Sequence, residues 1–529
     1  NSWLNFTAKQ GTTPSAQGIS IAVDNLTGSV SWSVASDSPA WLTISPSAGI
    51  ASAAAPTTTA VVSVNATSLP VGSYSGLLTV SAPGAIGTGS RITVNLTITS
   101  STKLNVNTNR QDARFSVNGP ASYTGSGTTW TKEDVPAGDY TVTFDAITGY
   151  KKPLSQTRSL TDNGEVTFSG NYVSWQELAA RKNIVVAKGP GIKNDARIKV
   201  FKNNAAPVAF DLVALTTRYG ANVAVGDIDG DGAAEIIVGA GDGPNNPATV
   251  RIYRADKTLV TEFVPFATMN GVRVVAADLD GDGKAEILVS PAGGADNTGR
   301  IAVYSYDTGQ KKVIPTGIDF TAYPYAYGAN IAVADIDGNG KPVIVTAPGI
   351  GKQNPALIKV WKVDTTPGIG NWSATWLKDI SLSGTHGATV AAGDIDGDGK
   401  SEIIVGTSGE QSVVTIIKAD GSQTRFKVSD RYGFNIAAAD LDGDGNAEII
   451  TATGPGRSDQ DPADDTKSKS GDKLSKKKDG KEKEAEYGDG DQEHGAVRVF
   501  SASGTPLFAV SPFEEAKDGI NVAVGDLGL

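Results

Sequence analysis

Four loops with the pattern Asp-x-Asp-Gly-Asp-Gly-x-x-Glu recur along the second half of the chain. Each loop presents carboxylates at its first, third, fifth and ninth positions, and its two glycines permit the positive φ angles of a tight turn. The predicted ligands are Asp227, Asp229, Asp231 and Glu235 in loop 1, Asp278, Asp280, Asp282 and Glu286 in loop 2, Asp394, Asp396, Asp398 and Glu402 in loop 4, and Asp440, Asp442, Asp444 and Glu448 in loop 5. Flexible coordination by oxygen alone favours Ca²⁺ over Zn²⁺ or Mg²⁺. We therefore predict four calcium sites.

Loop 3 is a degenerate fifth copy of the same pattern. Its oxygen ligands would be Asp335, Asp337 and Asn339, but Val343 replaces the acidic residue at the ninth position. Asn339 is an acceptable oxygen ligand, whereas a valine side chain offers none. We expect partial or no calcium occupancy here.

The spacing excludes an EF-hand, which needs a bidentate Glu at position 12 and a helix on each side. Position 12 is occupied by Val238, Val289, Val405 and Thr451 in the four complete copies. The flanks are short β-branched runs such as Ile236-Ile-Val-Gly239, which indicate strands. Each loop is therefore predicted to join two antiparallel strands.

The loops mark a repeat of about fifty residues, and each repeat holds four predicted strands. Four strands repeated radially are typical of a β-propeller. Six innermost strands begin near Asn222, Val272, Asn330, Thr389, Asn435 and Asn521. The last of these lacks its own partners, and the strands at 184–187, 198–201 and 208–212 lack a first strand. We predict that these fragments complete a sixth blade and close the ring; a chain cut from a longer one would give the same ending.

The aromatic-Gly start of each repeat, the Asp loop and turns such as Ala347-Pro-Gly349 resemble the FG-GAP (VCBS-type) repeat of integrin-α-like propellers. The resemblance covers about residues 184–529 and implies an extracellular calcium-binding propeller. It departs from the family pattern at Val343.

The first 173 residues differ in composition and are predicted to form two small β-sandwich-type modules. Residues 1–101 are rich in Ser, Thr, Ala and Val, and the segments 41–49 and 69–80 resemble immunoglobulin-like BACON modules. Residues 102–173 are similar to PEGA-type β spacers. The fold class is thus all-β, with the propeller at 174–529 and a short helix expected at 175–182.

Composition limits the partners and the location. The net charge of −11 argues against nucleic acid as a partner. No apolar run is long enough for a membrane span, and the absence of cysteine removes disulfides and thiol catalysis. A disulfide-free extracellular or cell-surface protein suits a bacterium. The oligomeric state is left open.

Residues 457–494 are dense in both charge signs and nearly free of apolar residues. Such a segment cannot bury enough surface to order itself, so we predict a disordered charged insert. It falls between the second and third strands of the fifth blade, on the face opposite the calcium loops.

Three functions fit this sequence. The first is an extracellular calcium-stabilised binding or adhesion protein, with the propeller as head on a β-module stalk, recognising a protein or a glycan. The second is a polysaccharide-acting lyase or hydrolase, and the third is a filament subunit. The sequence contains no catalytic Ser/His/acid constellation that we recognise. Expected ligand contacts on the face opposite the calcium loops are Tyr219, Tyr325, Tyr327, Tyr432 and the pair Asn245-Asn246.

Overall fold

The computed structural model describes residues 2–22, 28–85, 89–366, 368–407, 412–428, 433–454, 495–513 and 519–529. It divides into two compact units, Asn1–Tyr172 and Val173–Leu529. Strands make up most of the described structure in both units, with a single short helix among the described residues. The predicted all-β class is confirmed. The predicted insert at 457–494 lies outside the described residues.

The first part of unit 1 contains two sheets that enclose one apolar core. Its strands are β1 (Ser2–Lys9), β2 (Gln17–Ala22), β3 (Ser29–Ser36), β4 (Leu42–Ser45), β5 (Ala48–Ser52), β6 (Thr57–Val64), β7 (Gly72–Ser81) and β8 (Arg91–Thr99). One sheet has the order β1-β8-β7-β3-β5 and the other β2-β6-β4. Alternate residues of these strands point inward, and Trp32 is only 2% exposed among them. Trp32 is therefore a core residue of this module.

The second part of unit 1 has its own core between two further sheets. Its strands are β9 (Lys103–Thr108), β10 (Arg114–Asn118), β11 (Tyr123–Ser126), β12 (Thr129–Glu133), β13 (Gly138–Phe144), β14 (Tyr150–Lys151), β15 (Gln156–Leu160) and β16 (Glu165–Gly170). The sheet orders are β11-β10-β13-β15 and β12-β9-β16. Phe115, Phe144 and Tyr172 pack edge to face inside this core.

Unit 2 begins with β17 (Val173–Ser174) and the helix α1 (Trp175–Ala180). The Ser174 side chain accepts a hydrogen bond from the Glu177 amide and so caps the first turn. The helix lies within the predicted span 175–182. Gln176 donates from Nε2 to the backbone oxygens of Asp442 and Gly443, at 2.9 and 3.0 Å. The helix therefore packs on loop 5.

The remaining strands of unit 2 form six four-stranded antiparallel sheets. Sheet 1 is β21 (Ala221–Gly226), β22 (Glu235–Ala240), β23 (Val250–Tyr253) and β24 (Leu259–Phe263). Sheet 2 is β25 (Val272–Ala277), β26 (Glu286–Pro291), β27 (Gly299–Asp307) and β28 (Lys312–Tyr323). Sheet 3 is β29 (Ala329–Ala334), β30 (Val343–Pro348), β31 (Pro355–Asp364) and β32 (Ser373–Thr385). Sheet 4 is β33 (Thr389–Gly393), β34 (Glu402–Thr407), β35 (Ser412–Ile417) and β36 (Gln423–Val428). Sheet 5 is β37 (Phe434–Ala439), β38 (Glu448–Thr453), β39 (Val497–Phe500) and β40 (Pro506–Val510).

Sheet 6 combines the two ends of unit 2. Its order is β41 (Ile520–Asp526), β18 (Lys182–Lys188), β19 (Arg197–Lys202) and β20 (Pro207–Val213). The β41–β18 register runs from Lys182 opposite Asp526 to Lys188 opposite Ile520. The predicted pairing of the C-terminal strand with the strand at 184–187 is confirmed.

The first strands of the six sheets lie side by side in a closed cyclic order. Glycines at their ends allow this close approach. A Cβ on Gly226 would lie 2.6 Å from the Cβ of Ala276, and one on Gly525 would lie 2.3 Å from Val225 Cγ1. Small residues at these positions are therefore required by the neighbouring sheet.

A ring of hydrogen bonds joins each first strand to the sheet that follows it. The second residue of the strand, or its equivalent in sheet 4, donates from its side chain to a backbone oxygen of the next sheet or of the turn that leads into it. The six bonds are Asn222 to Val272 O at 3.0 Å, Arg273 to Tyr327 O at 2.9 Å, Asn330 to Ala388 O at 2.7 Å, Thr389 to Phe434 O at 3.1 Å, Asn435 to Ile520 O at 2.8 Å and Asn521 to Ala221 O at 2.7 Å. We call these six bonds the amide ring, after the four asparagines among their donors. The ring includes the bond from sheet 6 back to sheet 1.

Backbone hydrogen bonds connect consecutive Asp loops at the other end of the first strands. The amide of the eighth loop residue donates to the carbonyl of the first loop residue in the preceding sheet. These bonds run from Ala285 to Asp227, Ser401 to Asp335, Ala447 to Asp394, and Ala234 to Asp526, over 2.6 to 2.8 Å. In loop 3 the eighth residue is Pro342, which has no N–H to donate. Loop 3 therefore differs from the others in this connection as well as at Val343.

Candidate metal centres

All five loops join the first and second strands of their sheets, as the sequence predicts. In loop 1, Asp227 accepts from the amides of Gly230 at 2.7 Å and Gly232 at 2.8 Å. Both glycines have positive φ, at 77° and 90°. The corresponding aspartates of loops 2, 4 and 5 accept the same pair of bonds. The first carboxylate is therefore fixed by the backbone of its own turn.

The ninth residue of each complete loop is a carboxylate almost sealed from solvent. The exposed fractions are 1% for Glu235, 2% for Glu286, 2% for Glu402 and 5% for Glu448. Each of these side chains accepts one hydrogen bond, from the amide of the second loop residue, at 2.7 to 3.1 Å. One hydrogen bond does not compensate for the burial of a full negative charge. A bound cation would supply the missing compensation.

Burial accordingly raises the pKa of these glutamates. It raises the pKa of Glu286 to about 8 and the pKa values of Glu235 and Glu448 to about 7, and it also raises that of Glu402. The negative charges of the neighbouring aspartates act in the same direction. In the absence of metal, Glu235, Glu286 and Glu448 therefore favour a bound proton at neutral or mildly acidic pH.

Four groups of three carboxylates bring one ligand atom each to within 4.8 Å of the others. They are Asp227, Asp229 and Glu235; Asp278, Asp280 and Asp282; Asp394, Asp396 and Glu402; and Asp440, Asp442 and Glu448. Of the predicted ligands in the complete loops, the groups leave out Asp231, Glu286, Asp398 and Asp444. The Asp231, Asp398 and Asp444 carboxylates accept from backbone amides two residues ahead, at 2.7 to 2.9 Å.

The donor set fits Ca²⁺. It consists of carboxylate oxygens alone, on a loop whose glycines permit a tight turn, and Ca²⁺ accepts such flexible oxygen coordination. Zn²⁺ prefers nitrogen and sulfur donors, which these groups do not contain. Several carboxylates within 4.8 Å of one another repel each other unless a cation or protons lie between them.

Loop 3 keeps the turn but not the buried acid. Asp335 accepts from the amides of Asn339 at 3.1 Å and Gly340 at 2.8 Å. The bond from Gly340, the sixth loop residue, is the one that its counterparts also make. Val343 occupies the buried ninth position with 6% exposure. The side chains of Asp335, Asp337 and Asn339 therefore remain on a loop of the same shape that lacks the enclosed carboxylate.

Basic side chains contact two of the loops. Arg254 bonds to Asp229 and Asp231, and Lys418 bonds to Asp396. The hydrogen bond from Lys418 lowers the pKa of Asp396. For Asp231, the backbone amide of Ala233 and then Arg254 lower the pKa. The sequence analysis did not predict these contacts.

A cavity of about 290 Å³ follows the axis where the six first strands meet. Alanine and valine side chains line most of it, and the amide ring lies at the end away from the Asp loops. Asp242 and Arg273 line the same cavity and form an ion pair at 2.7 Å. Its walls thus combine an apolar middle with a polar end.

The expected ligand contacts on this face have different surroundings. The rings of Tyr219 and Tyr327 pack so closely on glycine backbone that a Cβ on Gly243 or Gly351 would lie 2.1 or 2.5 Å from them. These contacts favour a packing role. Tyr325 stacks on Tyr323, and Tyr432 lies outside the described residues.

Asn246 is not an exposed contact, so that prediction is wrong. Its side chain is 4% exposed and donates to Gly241 O at 2.9 Å and Arg218 O at 2.6 Å. Buried asparagines close the turn after the second strand in four sheets: Asn194, Asn246, Asn297 and Asn354. The repeated spacing of these asparagines after the second strand was visible in the sequence and could have revealed this role.

Comparisons with known proteins agree with the repeat. The FG-GAP-like repeat family matches residues 227–289 and 394–451, and the viral BACON domain family matches residues 6–93. The chain carries FG-GAP-like repeats and a BACON domain. Together with the sheets described above, the repeats support a propeller fold for unit 2.

One curated relative is rhamnogalacturonan endolyase YesW from Bacillus subtilis, 29% identical over 236 residues. The match covers 36% of this chain and 38% of the relative, so the chain spans well under half of that protein. Among solved structures, this chain is similar to a protein of unknown function from Bacteroides caccae. The identity is 10%, the match covers 65% of this chain and 98% of the other, and the TM-score is 0.39. The Dos1 propeller (11% identity, 80% and 92%, TM-score 0.30) and a putative carbohydrate binding protein from Bacteroides ovatus (10% identity, 73% and 97%, TM-score 0.17) are further neighbours.

Among the described residues, no helix has the length and apolar character that a membrane crossing requires.

Proposed function

We propose that this chain is an extracellular or cell-surface binding protein of a bacterium, whose head is a calcium-stabilised six-bladed propeller that recognises a glycan. The head comprises residues 174–529. Residues 1–101 and 102–173 are two β modules that form its stalk. The buried glutamate at the end of each complete loop is the observation that carries the calcium-dependent part of this proposal.

Six blades are supported by the six four-stranded sheets and by the bonds between them. The amide ring leads from each sheet to the next and returns from Asn521 to the carbonyl of Ala221. The β18–β41 pairing gives sheet 6 the same four-stranded form as the others. The sheets therefore satisfy the hydrogen-bonding requirement of a closed ring.

Calcium binding is supported by burial and charge. Each complete loop holds a nearly sealed glutamate beside aspartates, an arrangement that is costly without a cation. We assign one Ca²⁺ to each of loops 1, 2, 4 and 5, with the ligands predicted from the sequence. Bound calcium would neutralise these charges and fix the hairpin between the first and second strands.

The ligand is proposed to bind on the face opposite the Asp loops. The loops occupy one end of the first strands, and the other end carries the turns after the second strand, including Asp242 and Ile350. Both of these residues line the axial cavity, and ligand sites in proteins are typically concave with a few polar groups. A glycan partner is supported by the partial relationship to a rhamnogalacturonan endolyase.

The same relationship favours a second candidate function, cleavage of a pectin-like polysaccharide. Binding and cleavage are separated by one experiment on the calcium-loaded chain. A glycan array that includes rhamnogalacturonan tests binding, and the ultraviolet absorbance of the unsaturated sugar ends formed by β-elimination tests lyase activity.

Binding without new unsaturated or reducing ends would support the binding protein, and turnover would support the enzyme. No binding to any acidic or neutral polysaccharide, with the propeller folded and calcium-loaded, would contradict a glycan partner.

A further inference from the structure

The complete loops differ at one position that lies across the sheet from the buried glutamate. In sheet 1, Ile236 pairs with Tyr253, and continuing this register by one residue places Glu235 opposite Arg254, which directly follows the third strand. The same register in the other sheets defines four pairs: Glu235 with Arg254, Glu402 with Lys418, Glu286 with Ser305, and Glu448 with Ser501. Two loops therefore have a basic residue at this position, and two have a serine.

Arg254 contacts several carboxylates of loop 1 at once. Its guanidinium donates from Nη1 to Asp231 Oδ2 at 2.7 Å and from Nη2 to Asp229 Oδ2, and Nη1 lies 3.8 Å from Glu235 Oε1. Asp229 and Glu235 both belong to the group of carboxylates that could hold a metal ion. The guanidinium therefore interacts with the oxygens that a calcium ion would need.

Lys418 has an equivalent position at loop 4. Its ammonium group donates to Asp396 Oδ2, and Asp396 belongs to the candidate metal group of that loop. Both basic side chains are long and partly exposed, at 40% for Arg254 and 44% for Lys418. They have room to swing away when a metal enters.

Loops 2 and 5 carry a neutral hydroxyl at the same place. Ser305 is 8% exposed, and its neutral hydroxyl brings no charge to the carboxylates of loop 2. The Ser501 hydroxyl is engaged in its own turn, 2.9 Å from the Ser503 hydroxyl. We call loops 1 and 4 the guarded loops, and loops 2 and 5 the open loops.

A tethered cation has two effects on a calcium site. It reduces the repulsion among the carboxylates when no metal is present, which stabilises the metal-free hairpin. It also lowers calcium affinity, because the ion must displace the basic group or share the site with a like charge. An ion pair of this exposure lowers the affinity by about fivefold, and the bidentate contact of Arg254 by more.

We propose that Arg254 and Lys418 set the calcium affinities of this propeller, so that the open loops fill first and the guarded loops fill only at higher calcium. The proposal rests on the calcium sites of the proposed function and adds an order of loading to them. The guarded hairpins keep an internal cation when calcium is low, whereas the open hairpins depend on the metal.

Titration calorimetry of the whole chain, stripped of metal by a chelator, tests this order. We expect two classes of calcium sites, with two open loops in the tighter class. The double variant Arg254→Ser and Lys418→Ser should move the weaker class toward the tighter one by about fivefold or more per site. Arg251→Ser is the matched control, because it removes the same charge three residues earlier. Arg251 pairs with Glu262 and not with a loop carboxylate.

The reciprocal variant Ser305→Arg tests the same idea without removing a native ion pair. It should weaken one site of the tighter class and reduce the rise in melting temperature that calcium produces. A single class of four equal sites, unchanged in both variants, would overturn the order of loading while leaving the calcium-stabilised propeller intact. No calcium uptake by the folded parent chain would overturn the calcium sites themselves.

Discussion

Replacement of Glu448 by glutamine should stabilise the metal-free chain at high pH, and calcium should reduce that gain. Glu448 is 5% exposed, and burial raises its pKa from 4.5 to about 7. Because the pKa is raised in the folded state, the stabilising contribution of the protonated group is complete below pH 4.5 and is lost as the pH rises through 7. At 1.36 kcal/mol per pKa unit, the metal-free chain loses about 3 kcal/mol over this window.

Glutamine has a similar shape, keeps an oxygen to accept from the Leu441 amide and carries no charge. In calcium-free buffer, the difference in free energy of unfolding between Glu448→Gln and the parent should therefore shift by about 3 kcal/mol toward the variant between pH 5 and pH 8. In millimolar calcium at pH 8 the advantage of the variant over the parent should shrink by about 1–1.5 kcal/mol, because the variant lacks a ligand of a site with a dissociation constant near ~10⁻⁴ M and so gains less from calcium.

Urea unfolding followed by tryptophan fluorescence at about pH 5 and pH 8, with and without calcium, measures four free energies of unfolding for each protein. Glu262→Gln serves as the control, since Glu262 lies on the outer strand β24 and pairs with Arg251 at the surface. Parallel pH profiles for the parent and Glu448→Gln in calcium-free buffer would refute the reasoning, because they would mean that the buried carboxylate does not titrate as its surroundings require.

Three further predictions concern the ring. Removal of residues 520–529 should cause aggregation or a large fall in melting temperature, because β18 loses its antiparallel partner; a truncated chain that melts like the parent would contradict closure. Asn435→Ala should cost about 1–3 kcal/mol in urea unfolding, because it removes the donor to Ile520 O; an unchanged free energy of unfolding would contradict a structural role for the amide ring. Val343→Glu should add a calcium site to loop 3 in calorimetry and lower the stability of the metal-free chain; an unchanged stoichiometry would mean that the ninth residue does not decide occupancy.

The repeat and its phase could be predicted from the sequence because the determinants are local. A run of Asp and Gly specifies the loop, and the β-branched flanks specify the hairpin. The unpaired strands at the two ends of unit 2 then leave only one partner for β41, and the register from Lys182 to Lys188 agrees with that prediction. Val343 was also recognised from the loop pattern alone.

The amide ring was not predicted, although its asparagines recur at equivalent positions. Asn330 and Asn435 donate to backbone oxygens 58 and 85 residues further along the chain, and a backbone acceptor leaves no trace in the residue types. Asn246 shows the same limit, because its position in a turn predicted an exposed residue. The structure instead turns its amide inward to the oxygens of Gly241 and Arg218.

The contacts of Arg254 and Lys418 could not be predicted without the register of the third strand. Both residues follow the strand that pairs with the buried glutamate's strand, so a shift of one residue would point the basic group to the other face of the sheet. The sheets also contain an irregular step between the third and fourth strands, for example between Ile252 and Tyr253. Sequence spacing alone does not determine which side chain reaches the loop.

The first strands are held together by different interactions at their two ends. Metal binding and the proposed ligand binding would therefore involve opposite ends. At one end the sheets are joined by uncharged amides such as Asn435 and Asn521, whose bonds need no metal and change little with pH. At the other end carboxylates such as Glu286 are buried, and their charge must be compensated by a proton or a cation. The proposed calcium ions would therefore act on the end that carries the Asp loops, while the polar end of the axial cavity at Asp242 and Arg273 has its own ion pair and the amide ring. A partner that binds at the polar end would sense calcium through the stability of the whole propeller and not through a shared ligand.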